Sequence, residues 1–119
     1  MTDDRLRERT RAFALRVIKL ASSLPSTPPG RVIGDQILRS ATSVGANYRA
    51  ATRAKSTADF IHKMGTVEEE ADECMYWMEL IVEAELMKEE LIRDLYREAD
   101  EVLAMVVASI RTAKRRKPR

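Results

Sequence analysis

Residues 92–110 read IRDLYREADEVLAMVVASI, in which apolar residues recur every three or four positions. This spacing puts them on one face of an α-helix. Glu89 and Glu90 precede the stretch, and Arg111 and Lys114 follow it. Acidic residues favour the N-terminus of a helix and basic residues favour its C-terminus. We therefore predict a helix from about residue 89 or 90 to about residue 114.

Two earlier segments show the same pattern. The first is predicted to span about residues 2–23, and the sequence LPSTPPG at residues 24–30 ends it because proline cannot continue a helix. The second is predicted to span about residues 31–53. Gly45 lies in the middle of this second helix, where we expect close packing against a neighbouring helix rather than a hinge.

A third segment of the same kind is predicted to begin at a cap formed by Ser56 or Thr57 and to continue to about Leu86. A short break at residues 87 and 88 separates it from the last helix. Four amphipathic helices with short connections pack most simply as an all-α, antiparallel, up-down-up-down four-helix bundle. We predict one such domain over residues 1–114, followed by a basic disordered tail over residues 115–119.

Charge is distributed unevenly along this 119-residue chain, although its net charge is only +2. Residues 1–63 carry twelve Lys or Arg and five Asp or Glu, whereas residues 64–110 carry three and fourteen. Residues 111–119 carry six basic residues and no acidic residue. Such segregation indicates charge-complementary contacts, either between helices of one chain or between subunits.

The residues that usually carry catalysis or bind metals are scarce. The single cysteine, Cys74, lies on the predicted core stripe, where a free cysteine is usually inert packing. Asp59 and the single histidine, His62, are three positions apart, which is the carboxylate–histidine spacing of ferritin-like metal sites. Such a site needs two of these pairs and further glutamates, however, and the chain has only one pair. We predict no catalytic residue, no metal site, no cofactor and no small-molecule substrate; the protein is predicted not to be an enzyme.

The sequence contains no apolar run of the roughly 18–20 residues that a membrane span needs. Met1 is followed by Thr-Asp-Asp-Arg rather than by the apolar core of a signal peptide. A single cysteine also suits a reducing compartment. We therefore expect a cytoplasmic protein without a membrane partner.

Basic residues on one outer face of the second helix and in the C-terminal segment could neutralise phosphates. The alternatives are that the helix-two arginines pair with acidic residues of the same chain or of a neighbouring subunit, and that the tail serves only solubility. The sequence lacks the interleaved aromatic residues that stack single-stranded bases. The candidate nucleic-acid-binding residues are Arg39, Arg49, Arg53, Lys55, Arg111, Lys114, Arg115, Arg116 and Lys117.

Apolar and aromatic side chains also occur on the predicted outer side of the third helix, among glutamates. Aromatic residues are enriched at protein interfaces. We therefore assign Tyr76, Trp77 and Leu80 as a candidate oligomer interface, with scattered surface hydrophobics as the alternative.

Three stretches carry a resemblance to a known family: QILRSATSVGANY at residues 36–48, RAKSTADFI at residues 53–61 and EEEADE at residues 68–73. They resemble the bacterial four helix bundle protein family, whose founding members are encoded in intervening sequences of large-subunit ribosomal RNA genes. The resemblance covers about half of the chain clearly.

The resemblance implies an antiparallel bundle that assembles as a homopentamer, with a basic surface that meets nucleic acid and with no catalytic activity. It also implies a possible partner, since a related bundle is an accessory protein of retroelement reverse transcriptases. The sequence therefore predicts a homo-oligomeric, non-enzymatic bundle that binds RNA or DNA. The alternative is a protein–protein interaction adaptor with no nucleic-acid role.

Overall fold

The computed structural model describes residues 4–116, which form four α-helices and no strand. Each helix packs against the helices before and after it, and α1 closes the bundle against α4, so that α1 and α3 lie diagonally. The rod measures 53 × 21 × 20 Å. The predicted all-α, antiparallel four-helix bundle is confirmed. The helices are α1 (Asp4–Ser22), α2 (Pro28–Ala51), α3 (Thr57–Glu83) and α4 (Glu89–Arg115).

The start of α2 differs from the prediction, because the helix begins at Pro28 rather than near Arg31. The Thr27 side chain caps this end by accepting a hydrogen bond from the backbone N–H of Gly30 at 3.3 Å. Pro28 and Pro29 occupy the first turn, where the missing N–H has no helical acceptor in any case. Two of the three prolines that were predicted to end α1 therefore begin α2 instead.

The N-terminal cap of α3 is Ser56, one of the two residues predicted for this role. Its hydroxyl accepts a hydrogen bond from the N–H of Asp59 at 3.0 Å, while the Asp59 carboxylate accepts one from the N–H of Lys55 at 3.0 Å. The other end of α3 lies at Glu83, three residues before the predicted end at Leu86.

The early end of α3 follows from a left-handed residue, Glu85, whose φ is 58°. Two hydrogen bonds close the helix there. The N–H of Leu86 donates to the carbonyl of Ile81 at 2.9 Å, and the N–H of Glu85 donates to that of Val82 at 3.0 Å. This is the Schellman arrangement, which turns the chain out of the helix.

The core runs along the whole rod and is filled by apolar side chains from all four helices. α2 packs closely on α1 at Gly45, where a Cβ would lie 3.6 Å from the carbonyl oxygen of Thr10, an ordinary van der Waals contact. The close packing expected at Gly45 is therefore present. The largest fully buried side chains include Leu6, Phe13, Val17, Ile37, Val44, Met64, Val67, Met78, Ile81, Val102 and Val106.

A polar cluster links α1 to α4 beside this core. The Arg9 guanidinium donates to both oxygens of the Glu98 carboxylate, at 2.9 and 2.6 Å, and to Glu101 at 2.8 Å. These hydrogen bonds raise the pKa of Arg9 above its usual range, and the bidentate pair links the first and last helices. Among residues 4–116, no helix combines the length and the apolar character that crossing a membrane requires.

Candidate nucleic-acid interface

One end of the rod, called the basic end below, is where α1 and α3 begin and α2 and α4 end. A cavity of about 640 Å³ lies there. Three cationic side chains line it, Arg5 at the start of α1, Lys55 in the α2–α3 connection and Arg116 just after α4. The antiparallel fold therefore brings together cations that are far apart in sequence.

The remaining lining of this cavity combines hydroxyl groups with an apolar floor. Thr52, Ser56, Thr57, Ser109 and Thr112 supply the hydroxyls. The apolar part of the wall consists of Phe60, Met105 and four alanines from α2, the α2–α3 connection and α4. Its volume lies within the roughly 300–1,000 Å³ that is usual for ligand sites. The cavity can accept an anionic group that has cations on several sides.

Five of the other predicted basic residues lie at the same end of the rod but do not line the cavity. Arg49 lies in the last turn of α2 and Arg53 lies just beyond that helix, while the last turns of α4 carry Arg111, Lys114 and Arg115. All five are exposed, and none forms an ion pair with another residue between 4 and 116. Lys117 lies outside the described residues.

Asp59, an acidic residue of the basic end, is engaged by neighbouring groups. Asp59 accepts hydrogen bonds from Lys63 at 2.7 Å and from the N–H of Lys55, and the Lys63 hydrogen bond lowers the pKa of the Asp59 carboxyl. The opposite end of the rod carries Glu83, Glu85, Glu89 and Glu90 at the junction of α3 and α4. Lys19, Arg31 and Lys88 also lie at that opposite end, so its charge is mixed, whereas the basic end carries an excess of cations.

Arg39 has a different environment from the other candidates. It lies near the middle of the rod, where its guanidinium donates to Glu73 on α3 and lies 3.7 Å from a Glu70 oxygen. Its Nε also donates to the side-chain oxygen of Gln36 at 3.4 Å. In the structure, Arg39 therefore pairs with acidic residues of its own chain, which was one of the alternatives for the helix-two arginines.

The carboxylates that meet Arg39 have opposite electrostatic environments. Glu73 accepts a hydrogen bond from the Ser40 hydroxyl and another from the Trp77 indole at 3.3 Å, and the Ser40 bond is the main reason that the pKa of Glu73 is lowered. Burial raises the pKa of Glu70, whose Oε1 is buried without a hydrogen-bond partner among the described residues. Next to them, burial raises the pKa of the Cys74 thiol to about 12.

The predicted interface residues lie on α3, away from the basic end. Tyr76 is 52% exposed, and its ring packs edge-to-face with that of Trp77, with the ring centres 5.0 Å apart. Trp77 and Leu80 are half-buried.

His62 is exposed on the same helix. No three His, Cys, Asp or Glu side chains in the described part of the chain are grouped as a metal ion would require.

Sequence reasoning missed Arg5 as a member of the basic end. The signal that could have found it is topological: in an up-down-up-down bundle, the start of the first helix lies beside the end of the fourth. Sequence reasoning also placed Arg39 with the phosphate-binding candidates because periodicity alone does not show which acidic helix faces it.

Comparison with known proteins identifies the fold family. A family model described as 23S rRNA-intervening sequence protein matches residues 3–108. The chain belongs to this family. The resemblance found in the three sequence stretches is therefore confirmed, and two of them, in residues 36–48 and 68–73, supply the Arg39, Ser40 and Glu73 cluster that joins α2 to α3.

A solved structure agrees with this family assignment. A protein of unknown function from the S23 ribosomal protein family of Bacteroides thetaiotaomicron shares 34% sequence identity with this chain, with a TM-score of 0.83. The match covers 88% of this chain and 97% of the other. No curated protein is significantly similar in sequence. The family therefore establishes the fold and carries no indication of catalysis.

Proposed function

We propose that this protein is a non-enzymatic, homo-oligomeric, cytoplasmic bundle that binds the phosphate backbone of RNA or DNA through its basic end. The observation that carries the proposal is the convergence of Arg5, Lys55 and Arg116 around one cavity, with further exposed cations at the same end of the rod. No single segment of the sequence contains this set.

The other exposed cations of the basic end are available to bind phosphate groups. Arg49, Arg53, Arg111, Lys114 and Arg115 make no ion pair within the described chain, so binding a phosphate breaks no existing pair. The end of the rod is about 20 Å wide. A nucleic-acid strand with one phosphate every ~3.4 Å presents about six phosphates over that width. Phosphate neutralisation releases counterions and is independent of base sequence, so we expect binding with little sequence preference.

RNA is the first ligand to test, because the family takes its description from an intervening sequence in 23S rRNA. Fluorescence anisotropy with labelled RNA and DNA strands of about 20 nucleotides, at several salt concentrations, would measure the affinity. We expect the logarithm of the association constant to fall linearly with the logarithm of salt concentration. Absence of salt-dependent binding to every RNA and DNA strand would refute the proposal.

A pair of matched variants locates the site. Replacing both Arg53 and Arg111 with alanine should weaken binding and reduce the salt slope by about 1.4 for a single strand or 1.8 for a duplex. Replacing both Lys88 and Arg97 with alanine removes the same charge from exposed positions nearer the opposite end of the rod. This control should change neither the slope nor the affinity beyond a small net-charge effect.

The runner-up function is a protein–protein adaptor, favoured by the 52% exposure of Tyr76 in the C-terminal half of α3. A partner complex that survives nuclease treatment would support this function, and a complex lost on that treatment would support a nucleoprotein. A reverse transcriptase-like nucleoprotein is the partner class to test first. The sequence resemblance implies a homopentamer. Light scattering would test this by measuring whether the mass in solution is five times that of the 13.5 kDa chain.

A further inference from the structure

The wall of the cavity at the basic end contains three cations and, among the described residues, no carboxylate. Arg5, Lys55 and Arg116 come from three separate parts of the chain, and all three are exposed. Asp59 lies close to Lys55 in sequence but does not line the cavity, and its carboxylate is held by Lys63 and by the backbone N–H of Lys55. An anion in the cavity therefore meets positive charge from several directions.

Three lining cations suit a phosphate monoester better than a phosphodiester. A monoester carries roughly −1.5 to −2 charges at pH 7 and offers three oxygens as strong hydrogen-bond acceptors. A phosphodiester inside a strand carries a single negative charge and has fewer free oxygens. Arginine binds phosphate oxygens through parallel N–H donors, and lysine binds them as a compact charge. The charge of this cavity therefore favours the phosphorylated end of a strand over an internal phosphate.

A single aromatic side chain lies on the apolar part of the cavity, among the residues that the structure describes. Phe60 packs against the core and is only half-buried, so it also presents surface to the cavity that it lines. Nucleic-acid bases stack on aromatic rings with little regard to base identity. Proteins that hold a continuous single strand use successive aromatic residues for successive bases. One aromatic residue therefore suits one base.

Hydroxyl groups supply further polar contacts in the cavity wall. The side chains of Thr57, Ser109 and Thr112 line the cavity and form no hydrogen bond with any residue between 4 and 116. The Thr52 hydroxyl, by contrast, already donates to the carbonyl oxygen of Arg49 at 2.7 Å. A hydroxyl can both donate and accept, so it can bind a ribose hydroxyl or the edge of a base. The wall thus combines contacts for a phosphate, a sugar and a base.

We propose that this cavity holds the terminal nucleotide of an RNA or DNA strand, with its phosphate monoester among the three lining cations and its base against Phe60. The inference rests on the proposed function and names the part of the nucleic acid that the cavity takes. Exposed cations outside the cavity, such as Arg53 and Arg111, then bind the phosphodiesters that follow. Binding that is independent of base sequence is thereby combined with a preference for a phosphorylated end.

Three otherwise identical RNA strands test this preference. They carry a phosphate at the 5′ end, a phosphate at the 3′ end, or hydroxyl groups at both ends, with the fluorescent label at an internal position. Anisotropy should show that a terminal phosphate at one of the ends tightens binding about 10-fold or more. Equal affinity for all three strands would overturn the inference and leave the proposed function standing. Absence of salt-dependent binding to all three would reject the proposed function itself.

Free adenosine 5′-monophosphate separates a strand end from a soluble nucleotide, because both present the same phosphate monoester. The free nucleotide should displace the phosphorylated strand, but it should bind more weakly than the strand does, since it cannot reach the cations outside the cavity. An affinity for the free nucleotide equal to that for the phosphorylated strand would overturn the assignment to a strand end.

Two double variants test whether the preference arises in the cavity. Lys55→Ala with Arg116→Ala removes two lining cations, whereas Arg53→Ala with Arg111→Ala removes the same charge from positions outside the cavity. All four positions are exposed, so circular dichroism should show an unchanged helical fold. Both variants should bind every strand more weakly, but only the first should lose the preference for a phosphorylated end. A preference that persists in the first variant, or that is lost equally in both, would overturn the inference.

Phe60→Leu tests the contact with the base, because leucine keeps an apolar side chain against the core and removes the aromatic ring. Isothermal titration calorimetry would compare adenosine 5′-monophosphate with ribose 5-phosphate, which lacks the base. The unsubstituted protein should bind the nucleotide about 5-fold more tightly or better, and the folded variant should lose most of this difference. Equal affinity of the unsubstituted protein for both compounds, or an unchanged difference in the variant, would overturn the placement of the base.

Discussion

The hydroxyl of Ser40 on α2 donates a hydrogen bond to the carboxylate of Glu73 on α3. Ser40 is fully buried, and the same carboxylate accepts hydrogen bonds from Arg39 and Trp77. Arg39 and Ser40 belong to one of the stretches that resemble the family, and Glu73 belongs to another. The sequence features that indicate the family therefore hold two helices together in this protein.

Glu73→Gln should lower the free energy of unfolding by about 1 kcal/mol at pH 7, because charged hydrogen bonds to a buried serine and to Arg39 are lost or weakened. The deficit should shrink in acid. The pKa of Glu73 is lowered in the folded state, so its stabilisation is present above the usual glutamate pKa and is lost as the pH falls through the lower folded value. Urea denaturation from pH 7 to pH 3 would measure both effects. Glu69→Gln, at an exposed position on the same helix, should show little change.

Glu70→Gln should have the opposite sign and raise the free energy of unfolding at pH 7. Burial raises the pKa of Glu70, so keeping its carboxylate ionised costs stability at neutral pH. In the unsubstituted protein this cost is relieved as the pH falls through the raised folded value. The gain from Gln should therefore disappear towards the usual glutamate pKa of about 4.3. A less stable Glu70→Gln protein at pH 7 would show that attraction to Arg39 outweighs burial.

Gly30 and Gly65 should respond in opposite directions to alanine. A Cβ on Gly30 would lie 2.0 Å from the backbone oxygen of Pro25, so Gly30→Ala must displace the α1–α2 connection and should cost more than about 2 kcal/mol. A Cβ on Gly65 would meet no atom within 4 Å. Gly65→Ala should gain about 0.5–1 kcal/mol by improving the helical preference of α3. Urea unfolding of both variants, with unchanged m-values, is the measurement; equal effects would contradict the packing at Gly30.

Local patterns determined much of this fold. The apolar repeat in residues 92–110 indicated α4, and the cap at Ser56 indicated the start of α3, because both depend on residues within a few positions of one another. The predicted start of α2 was wrong because Pro28 and Pro29 were interpreted only as a signal that ends a helix, although proline also suits the first turn of a helix. The predicted end of α3 was wrong because the left-handed residue that ends this helix is Glu85, and glycine is the residue that usually marks such an end in a sequence.

The candidate sites depended more strongly on tertiary structure. The sequence by itself determined that the chain forms four amphipathic helices with segregated charge, since helical periodicity and charge are properties of neighbouring residues. Only the packing of those helices decided that Arg39 meets Glu73 on α3 and that Arg5, Lys55 and Arg116 share one cavity. The physical reason is that these partners lie at least 34 positions apart, and their distance depends on which helices are neighbours and on the register that core packing imposes.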